Sequence, residues 1–272
     1  METVISRKGL GAGGKSPWLL TYADGRQAIL RDHGPFETEI AALTVAAANG
    51  VPAPRVLDIG EDGLLISVVP GSSRIPVEAE PGRLRAIGAA AAAIHAVELA
   101  PTKDLPPRHR PIELVDFDDW RARRTASPLL LAAMEAVASR PEPPHPTVLV
   151  HGDLWQGNTM WLDGELAAVV DWDCAGAGNP GVDLGSLRCD AAIMFDGAAA
   201  DVVLAGWQER AGRAPEGMAY WDAVAALSTP PDLTAWESTI QDQGRADLDG
   251  ATLTARRDAF LRAALDRLAS SG

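Results

Sequence analysis

Residues 150–185 read VHGDLWQGNTMWLDGELAAVVDWDCAGAGNPGVDLG, and this segment carries the most chemical information in the chain. Four residues separate Asp153 from Asn158. This is the spacing of a catalytic loop in which an Asp orients a substrate hydroxyl and an Asn holds a metal ion. Asp171 follows the apolar run Leu166–Val170, where a second metal-binding carboxylate is needed. The pattern predicts phosphoryl transfer from a metal-bound nucleotide.

Each polar residue of this segment has a predicted task. We expect Asp153 to accept a hydrogen bond from the attacking hydroxyl and then its proton. Asn158 and Asp171 offer the hard oxygen ligands that Mg²⁺ prefers. The alternative for both aspartates is a structural role, since Asp is common in turns and at strand ends. For His151 and Asp183 the favoured role is structural, because a catalytic loop needs residues that hold its shape.

The first quarter of the chain is predicted to form a small β-rich lobe. An Asp-Gly turn, Ala23-Asp24-Gly25, separates two strand-like runs. The predicted elements are strands at 17–22, 27–31, 55–59 and 64–69 and a helix at 37–49. Glycines in residues 9–16 could fold backbone N–H groups over phosphates, although the segment lacks the strand and helix of a P-loop. Pro70-Gly71 is the predicted boundary, which divides the chain into residues 1–70 and 71–272.

Two residues of the small lobe are candidates for nucleotide binding. Arg31 closes an apolar strand, and a cation at that position can reach the phosphates of a nucleotide. Glu39 on the next helix can pair with Arg31, in the manner of the kinase Lys–Glu pair. The alternative is an ordinary surface ion pair.

The rest of the chain is predicted to be mostly helical. Pro146 precedes a short strand at 147–150 that leads into the polar segment described above. The predicted helices lie at 81–99, 118–140 (one or two helices), 186–195, 197–211, 217–227, 231–242 and 254–269. His95, near the end of the first of these, is more typical of a hydrogen-bonded core residue than of a ligand.

Composition excludes several classes of function. A formal net charge of −13 over 272 residues makes a nucleic-acid partner unfavourable, because phosphate binding needs basic patches. The charge fits a cationic substrate, although solubility alone also explains it. No apolar run is long enough for a membrane span, and because residues 1–8 are polar and are followed by glycines we expect no signal peptide. With only two cysteines and no disulfide framework, we expect a cytoplasmic protein.

The paired motifs HGDLWQGNTMW and VVDWDCAGAGNPGVDLG resemble those of the aminoglycoside phosphotransferase / choline kinase-like family. The likeness extends to Leu30-Arg31, Glu39, the segments at 49–57 and 64–71, and Ile94-His95. It implies an α+β, bilobal, protein-kinase-like fold with a small β-rich N-lobe and a larger helical C-lobe. It also implies ATP or GTP as phosphoryl donor, with Mg²⁺.

The resemblance assigns roles to individual residues. Asp153 is the implied catalytic residue, with Asn158 and Asp171 as metal ligands and Arg31 at the phosphates. The backbone near Ser67–Val69 is implied to bind the edge of the adenine or guanine ring.

The family does not fix the acceptor, so three functions stay open. The first is transfer to an aminoglycoside-like antibiotic, and the second is a metabolite kinase for a sugar, amino alcohol or homoserine-like compound. The third is a non-catalytic nucleotide-binding regulatory module. A protein kinase is disfavoured, because the segment lacks the Arg of HRD and Trp172 replaces the Phe of DFG. Candidates for the acceptor pocket, each with an ordinary core or surface explanation, are Trp155, Trp161, Trp207, Trp221, Trp236, Asp190, Asp222, Glu237 and Asp242.

Overall fold

A computed structural model describes residues 3–11, 15–117, 119 and 127–270. The N-terminal region is an antiparallel sheet of five strands in the order β1-β2-β3-β5-β4, with one helix beside it. The elements are β1 (Val4–Gly11), β2 (Lys15–Tyr22), β3 (Gln27–Arg31), α1 (Glu37–Ala48), β4 (Val56–Gly60) and β5 (Gly63–Ser67). Alternation of buried and partly exposed residues along β3 and β5 turns one face of the sheet toward the core.

The C-terminal region is mainly helical, with short strands around the motif segment. Its helices are α2 (Pro81–Ile94), α3 (Pro128–Ala138), α4 (Gly181–Met194), α5 (Gly197–Ala211), α6 (Met218–Leu227), α7 (Glu237–Asp242) and α8 (Gly250–Ser270). Its strands are β6 (Pro107–Arg108), β7 (Val148–Val150), β8 (Thr159–Leu162), β9 (Glu165–Val169) and β10 (Gly176–Gly178). Within the described residues, no helix is long and apolar enough to cross a membrane.

Several sequence-based boundaries were wrong, and one strand was not predicted. The helix predicted over 81–99 ends at Ile94, because Val97 and Leu99 form backbone hydrogen bonds to the segment of β7. Helix α4 begins at Gly181 rather than 186, since the Asn179 side chain accepts a hydrogen bond from the Gly181 N–H. Strand β1 was not predicted, because its sequence is polar and glycine-rich and lacks a strand pattern. The strand is formed by backbone pairing with β2. Residues 12–14 of the glycine stretch, and 118 and 120–126 of the predicted helix at 118–140, lie outside the described residues.

One hydrophobic cluster runs from the sheet into the helical region. It joins Leu43 and Leu64 of the N-terminal region to Ile87, Leu149 and Trp172 of the C-terminal region. A continuous core of this kind fixes the position of β3 relative to the motif segment. The division at residues 70 and 71 remains a prediction.

Helices α2 and α5 pack unusually closely because glycines lie at their contact. A Cβ atom at Gly88 would collide with the Val203 carbonyl, and one at Gly206 would collide with the Arg85 backbone. This contact carries the end of α2, and therefore His95, toward α4.

We expect Gly88→Ala to lower the free energy of unfolding by about 1–3 kcal/mol, because the added methyl group must push two backbones apart. Urea unfolding measures the change. Gly82→Ala on the same helix is the matched control, since a Cβ atom at Gly82 would meet no other atom within 4 Å and the helix gains propensity. Equal stability of Gly88→Ala and wild type would show that the helices are not held by this contact.

Candidate active site

A β-hairpin brings Asn158 and Asp171 together. Asn158 immediately precedes β8 and Asp171 follows Val170 just beyond β9, and these strands pair antiparallel with Thr159 opposite Val169. The Val170 N–H also donates to the Asn158 carbonyl at 2.9 Å. Residues that flank the open end of an antiparallel hairpin are neighbours in space. The hairpin therefore brings Asn158 and Asp171, which are 13 positions apart in the sequence, close together in space.

Asn158 is oriented by Asp153. Its Nδ2 donates to the Asp153 carbonyl at 2.8 Å and to Asp153 Oδ2 at 3.2 Å. Within the part of the chain that the structure describes, no donor reaches Asn158 Oδ1. The amide oxygen is thus left available for a cation, while the amide nitrogen holds the Asp153 carboxylate.

The loop that carries Asp153 is braced by buried hydrogen bonds. Asp183 accepts from the backbone N–H of His151 at 2.7 Å and of Gly152 at 2.8 Å. Gly152 has a φ of +82°, and a Cβ there would collide with the Cys174 carbonyl, so the turn requires glycine. His151 Nδ1 accepts from the Asp153 N–H, which leaves Nε2–H to donate to the Val170 carbonyl at 2.9 Å.

His95 completes this brace from α2. Trp207 Nε1–H donates to His95 Nδ1 at 3.0 Å, so the proton of His95 lies on Nε2 and is donated to Asp183 at 3.1 Å. Burial opposes the charge of Asp183, but the hydrogen bonds from His95 and the loop hold its pKa below the ordinary value. His95, with 4% of its surface exposed, is a hydrogen-bonded core residue.

We expect Asp183→Asn to lower the free energy of unfolding by about 1–3 kcal/mol, because an amide NH₂ cannot accept the hydrogen bonds that one carboxylate oxygen receives. Chemical unfolding measures this, with the exposed Asp163→Asn as control. Since the pKa of Asp183 is lowered on folding, its contribution is present above about pH 4 and is lost as the pH falls further. A variant as stable as wild type at pH 7 would contradict the bracing role.

Arg31 joins the N-terminal sheet to the motif segment. Its guanidinium contacts Glu39 at 2.9 Å, Asp171 at 2.6 Å and Asp173 at 3.2 Å. Burial opposes its charge, but the three carboxylates outweigh burial and raise the pKa of Arg31. The sequence predicted the ion pair of Arg31 with Glu39 but not the one with Asp173. No spacing rule distinguishes Asp173 from an ordinary surface carboxylate.

Burial changes the proton affinity of two carboxylates in the site. It raises the pKa of Glu39 to about 7, against the attraction of Arg31. Burial, followed by the negative charge of Asp171, raises the pKa of Asp153 to about 8. A carboxylate with a raised pKa is a stronger base than an exposed one, which suits proton acceptance from a hydroxyl.

The predicted nucleotide edge, Ser67–Val69, begins at the last residue of β5. The Ser67 N–H donates to the Arg55 carbonyl at 2.8 Å, and Ser67 Oγ accepts from the Arg55 N–H at 2.9 Å. These groups of Ser67 are therefore already paired. No described backbone group pairs with Val69, so Val69 is the better candidate of the two.

A cavity of about 330 Å³ opens beside Asp153. Helix α4, the end of α6 and the segment containing α7 form its walls, together with residues 111–117. Its lining is mainly apolar and comprises Pro111, Ile112, Val115, Phe117, Asp153, Trp155, Ser186, Cys189, Asp190, Ile193, Met194, Ala225, Ser228, Thr229, Trp236, Thr239 and Ile240. The volume is near the lower end of the range of small-molecule sites, about 300–1,000 Å³.

The cavity separates the acceptor candidates named from the sequence. Trp155, Trp236 and Asp190 line it. The other candidates do not line it. Three tryptophans are buried elsewhere: the Arg83 guanidinium lies over Trp161, Trp207 is hydrogen-bonded to His95, and Trp221 belongs to the hydrophobic core. Of the acidic residues, Asp222 pairs with Arg188 and Arg267, Glu237 accepts a hydrogen bond from the Gly250 N–H, and Asp242 is exposed. Spacing could not distinguish these groups, because the walls come from distant parts of the chain.

The donor set fits magnesium bound together with a nucleotide. No group of three or more His, Cys, Asp or Glu side chains among the described residues could hold a metal alone. Mg²⁺ is commonly held by one or two protein oxygens with substrate phosphates and water. The unpartnered Oδ1 of Asn158 and the half-exposed carboxylate of Asp171 match that requirement.

Comparison with known proteins agrees with this geometry. The model of the phosphotransferase enzyme family, APH, matches residues 9–227. The chain belongs to this family. No curated protein matches the chain significantly. The resemblance noted in the sequence is confirmed, and the family's members act as kinases on hydroxyl groups.

Several solved structures have the same fold as this chain. Macrolide 2′-phosphotransferase MphH from Brachybacterium faecium is 22% identical, with a TM-score of 0.58, 96% of this chain covered and 91% of that one. A thermostable mutant of aminoglycoside phosphotransferase APH(4)-Ia, in complex with AMP-PNP and hygromycin B, is 19% identical, with a TM-score of 0.64 and coverages of 96% and 94%. A choline/ethanolamine kinase family protein from Mesorhizobium loti is 17% identical, with a TM-score of 0.59 and coverages of 96% and 88%. The α+β, kinase-like fold is thereby confirmed.

Proposed function

We propose that this phosphotransferase moves the γ-phosphoryl group of a magnesium-bound nucleotide, ATP or GTP, to a hydroxyl group of a small molecule. The observation that carries the proposal is the orientation of Asn158, whose Nδ2 holds Asp153 while its Oδ1 has no partner among the described residues. Asp171 stands across the hairpin, where a second oxygen ligand is needed.

The chemistry of the proposed step is balanced by groups in the site. The acceptor oxygen forms a bond to the γ-phosphorus, and the bond from that phosphorus to the β–γ bridging oxygen breaks, which releases the nucleoside diphosphate. Asp153 receives the hydroxyl proton and passes it to solvent. Bound magnesium supplies positive charge at the phosphate oxygens. Arg31 lies against Asp171, from where its guanidinium can reach a phosphate bound at that carboxylate.

The cavity bears on the choice of acceptor. The net charge favours an aminoglycoside-like polycation, and such a ligand needs several carboxylates to pair its ammonium groups. Among the described lining residues, only Asp153 and Asp190 carry carboxylates, and most other walls are apolar. This composition supports the second candidate, a kinase for a compact metabolite-like alcohol.

Phosphorylated product is the direct test. Purified protein is incubated with Mg²⁺ and ATP or GTP and with aminoglycosides, macrolides, sugars, amino alcohols or homoserine, and the product is identified by ³¹P NMR and mass spectrometry. We expect a phosphate ester on at least one acceptor and none without magnesium. Nucleotide binding with no transfer to any acceptor would instead support the non-catalytic nucleotide-binding module.

A further inference from the structure

Asp190 is a buried carboxylate in the wall of the cavity beside Asp153. It lies on α4, is 8% exposed and is the one carboxylate besides Asp153 among the described lining residues. Around it the lining is contributed by Trp155, Ile193, Met194 and other apolar side chains. Asp153 and Asp190 line the same cavity, so a compact ligand whose hydroxyl lies at Asp153 can place another of its groups at Asp190.

Protein groups satisfy only one oxygen of Asp190. Oδ2 accepts from the Gln156 backbone N–H at 3.3 Å and from Gln156 Nε2 at 2.8 Å. In the described portion of the chain, no donor reaches Oδ1 and no cation forms an ion pair with Asp190. Arg245 and Arg83 both attract Asp190 electrostatically, but neither forms an ion pair with it. The Arg245 guanidinium is bonded to Asp247 and to the Met194 carbonyl, and Arg83 Nη2 donates to the Arg74 carbonyl.

A half-satisfied carboxylate in an apolar wall is costly unless something pairs with it. Burial raises the pKa of Asp190 to about 6, which leaves the group mainly charged at neutral pH. A ligand ammonium would pair with Oδ1, and the ring of Trp155 or Trp236 could face the same cation or the apolar body attached to it. One carboxylate matches one ammonium group, whereas the apolar walls disfavour further charges.

We infer that Asp190 determines acceptor specificity by binding the single ammonium group of a compact amino alcohol whose hydroxyl lies at Asp153. This inference rests on the proposed function, and it narrows the acceptor to one of the alternatives left open by the sequence. The competing explanation is that Asp190 only supports the catalytic loop through Gln156.

The test compares matched acceptors. A graded series of linear and ring-bearing amino alcohols is assayed beside alcohols in which a methyl group replaces the ammonium, and kcat/KM is measured for each pair. We expect wild type to prefer the ammonium member by about 10- to 100-fold, the range for a hydrogen bond to a charged group. This measurement needs no variant. A wild-type ratio near one would overturn the inference.

Asp190→Asn separates recognition from support. Asn keeps an oxygen that can accept a hydrogen bond from Gln156 but removes the negative charge. We therefore expect the ratio of kcat/KM for the ammonium acceptor to that for the methyl acceptor to fall to within about threefold of one. Gln156→Met removes the side-chain hydrogen bond to Asp190 but keeps the Asp190 carboxylate. It should therefore lower kcat/KM for the ammonium and the methyl acceptor by a similar factor and leave the ratio of the two values unchanged. An Asp190→Asn variant that lowers both rates equally would show a supporting role only.

Failure of the inference differs from failure of the proposed function. Transfer to a sugar or an aminoglycoside, without ammonium preference in the paired series, would reject the role of Asp190 and leave phosphotransfer standing. Absence of transfer to every hydroxyl compound would reject both.

Discussion

Asp153→Asn is expected to lower kcat by about 10²- to 10⁴-fold, because the amide can no longer accept the hydroxyl proton in the transition state. The change is nearly isosteric, so the hydrogen bond to Asn158 can be kept by an amide flip or lost without a large movement. Nucleotide affinity should therefore stay close to that of wild type. A loss in kcat without a loss in binding is the signature of a group that acts on the reacting atoms.

The measurement is a coupled assay of nucleoside diphosphate release with the best acceptor, together with calorimetric titration of a non-hydrolysable nucleotide and Mg²⁺. Asp163→Asn, in the exposed turn between β8 and β9, makes the same chemical change away from the site and should have wild-type kcat. Near-normal turnover in Asp153→Asn would remove Asp153 from the mechanism.

The pH dependence of the wild-type rate provides an independent check. Burial and the charge of Asp171 raise the pKa of Asp153 to about 8, and the base must be unprotonated to act. Turnover should therefore fall as the pH is lowered. The apparent midpoint should lie below 8, because magnesium at Asp171 offsets one cause of the raised pKa. A rate that does not fall on the acid side would contradict the assignment.

Asp171→Asn is expected to weaken magnesium-nucleotide binding by at least about 100-fold, since loss of even an outer-shell partner of a metal costs about 10- to 100-fold. Asn is the appropriate replacement because Asp171 has a φ of +67°, a conformation that Asn tolerates better than Ala. The side chain is 46% exposed, so the lost ion pair with Arg31 should change stability by no more than about 1 kcal/mol.

Calorimetric titration of the nucleotide with and without magnesium measures this effect. The Asp173→Asn variant is the matched control, because Asp173 also pairs with Arg31 but has no assigned metal role. Its affinity should change by less than about tenfold. If Asp171→Asn kept the magnesium dependence of wild type, Asp171 would not be a ligand.

Local features of the sequence predicted much of the fold. The Asp-Gly turn and the alternation around it gave the β2–β3 hairpin, and helix α5 was predicted with its observed bounds of 197–211. Elements whose form depends on distant partners were predicted poorly. Residues 96–99 continue a helical pattern, yet their backbone pairs with the segment of β7 about fifty residues later.

The same distinction applies to the candidate site. Asp153, Asn158 and Asp171 are close in sequence, so their spacing could indicate a shared task. The contact between Arg31 and Asp173 spans 142 positions, and no local pattern encodes it. The side chain of Asp190 could be named as a candidate but not selected from three other acidic residues, because the cavity forms where α4, the end of α6, the segment containing α7 and residues 111–117 meet.

The hydrogen bond between Gln156 and Asp190 has an evolutionary consequence. The proposed catalytic residue and metal ligands lie within residues 153–171, whereas most of the cavity wall comes from other segments, so the wall can diverge while the loop is kept. Asp190 is a wall residue that also bonds the loop. A lineage that exchanges acceptors by replacing Asp190 must therefore adjust position 156 as well, and these two positions should change together.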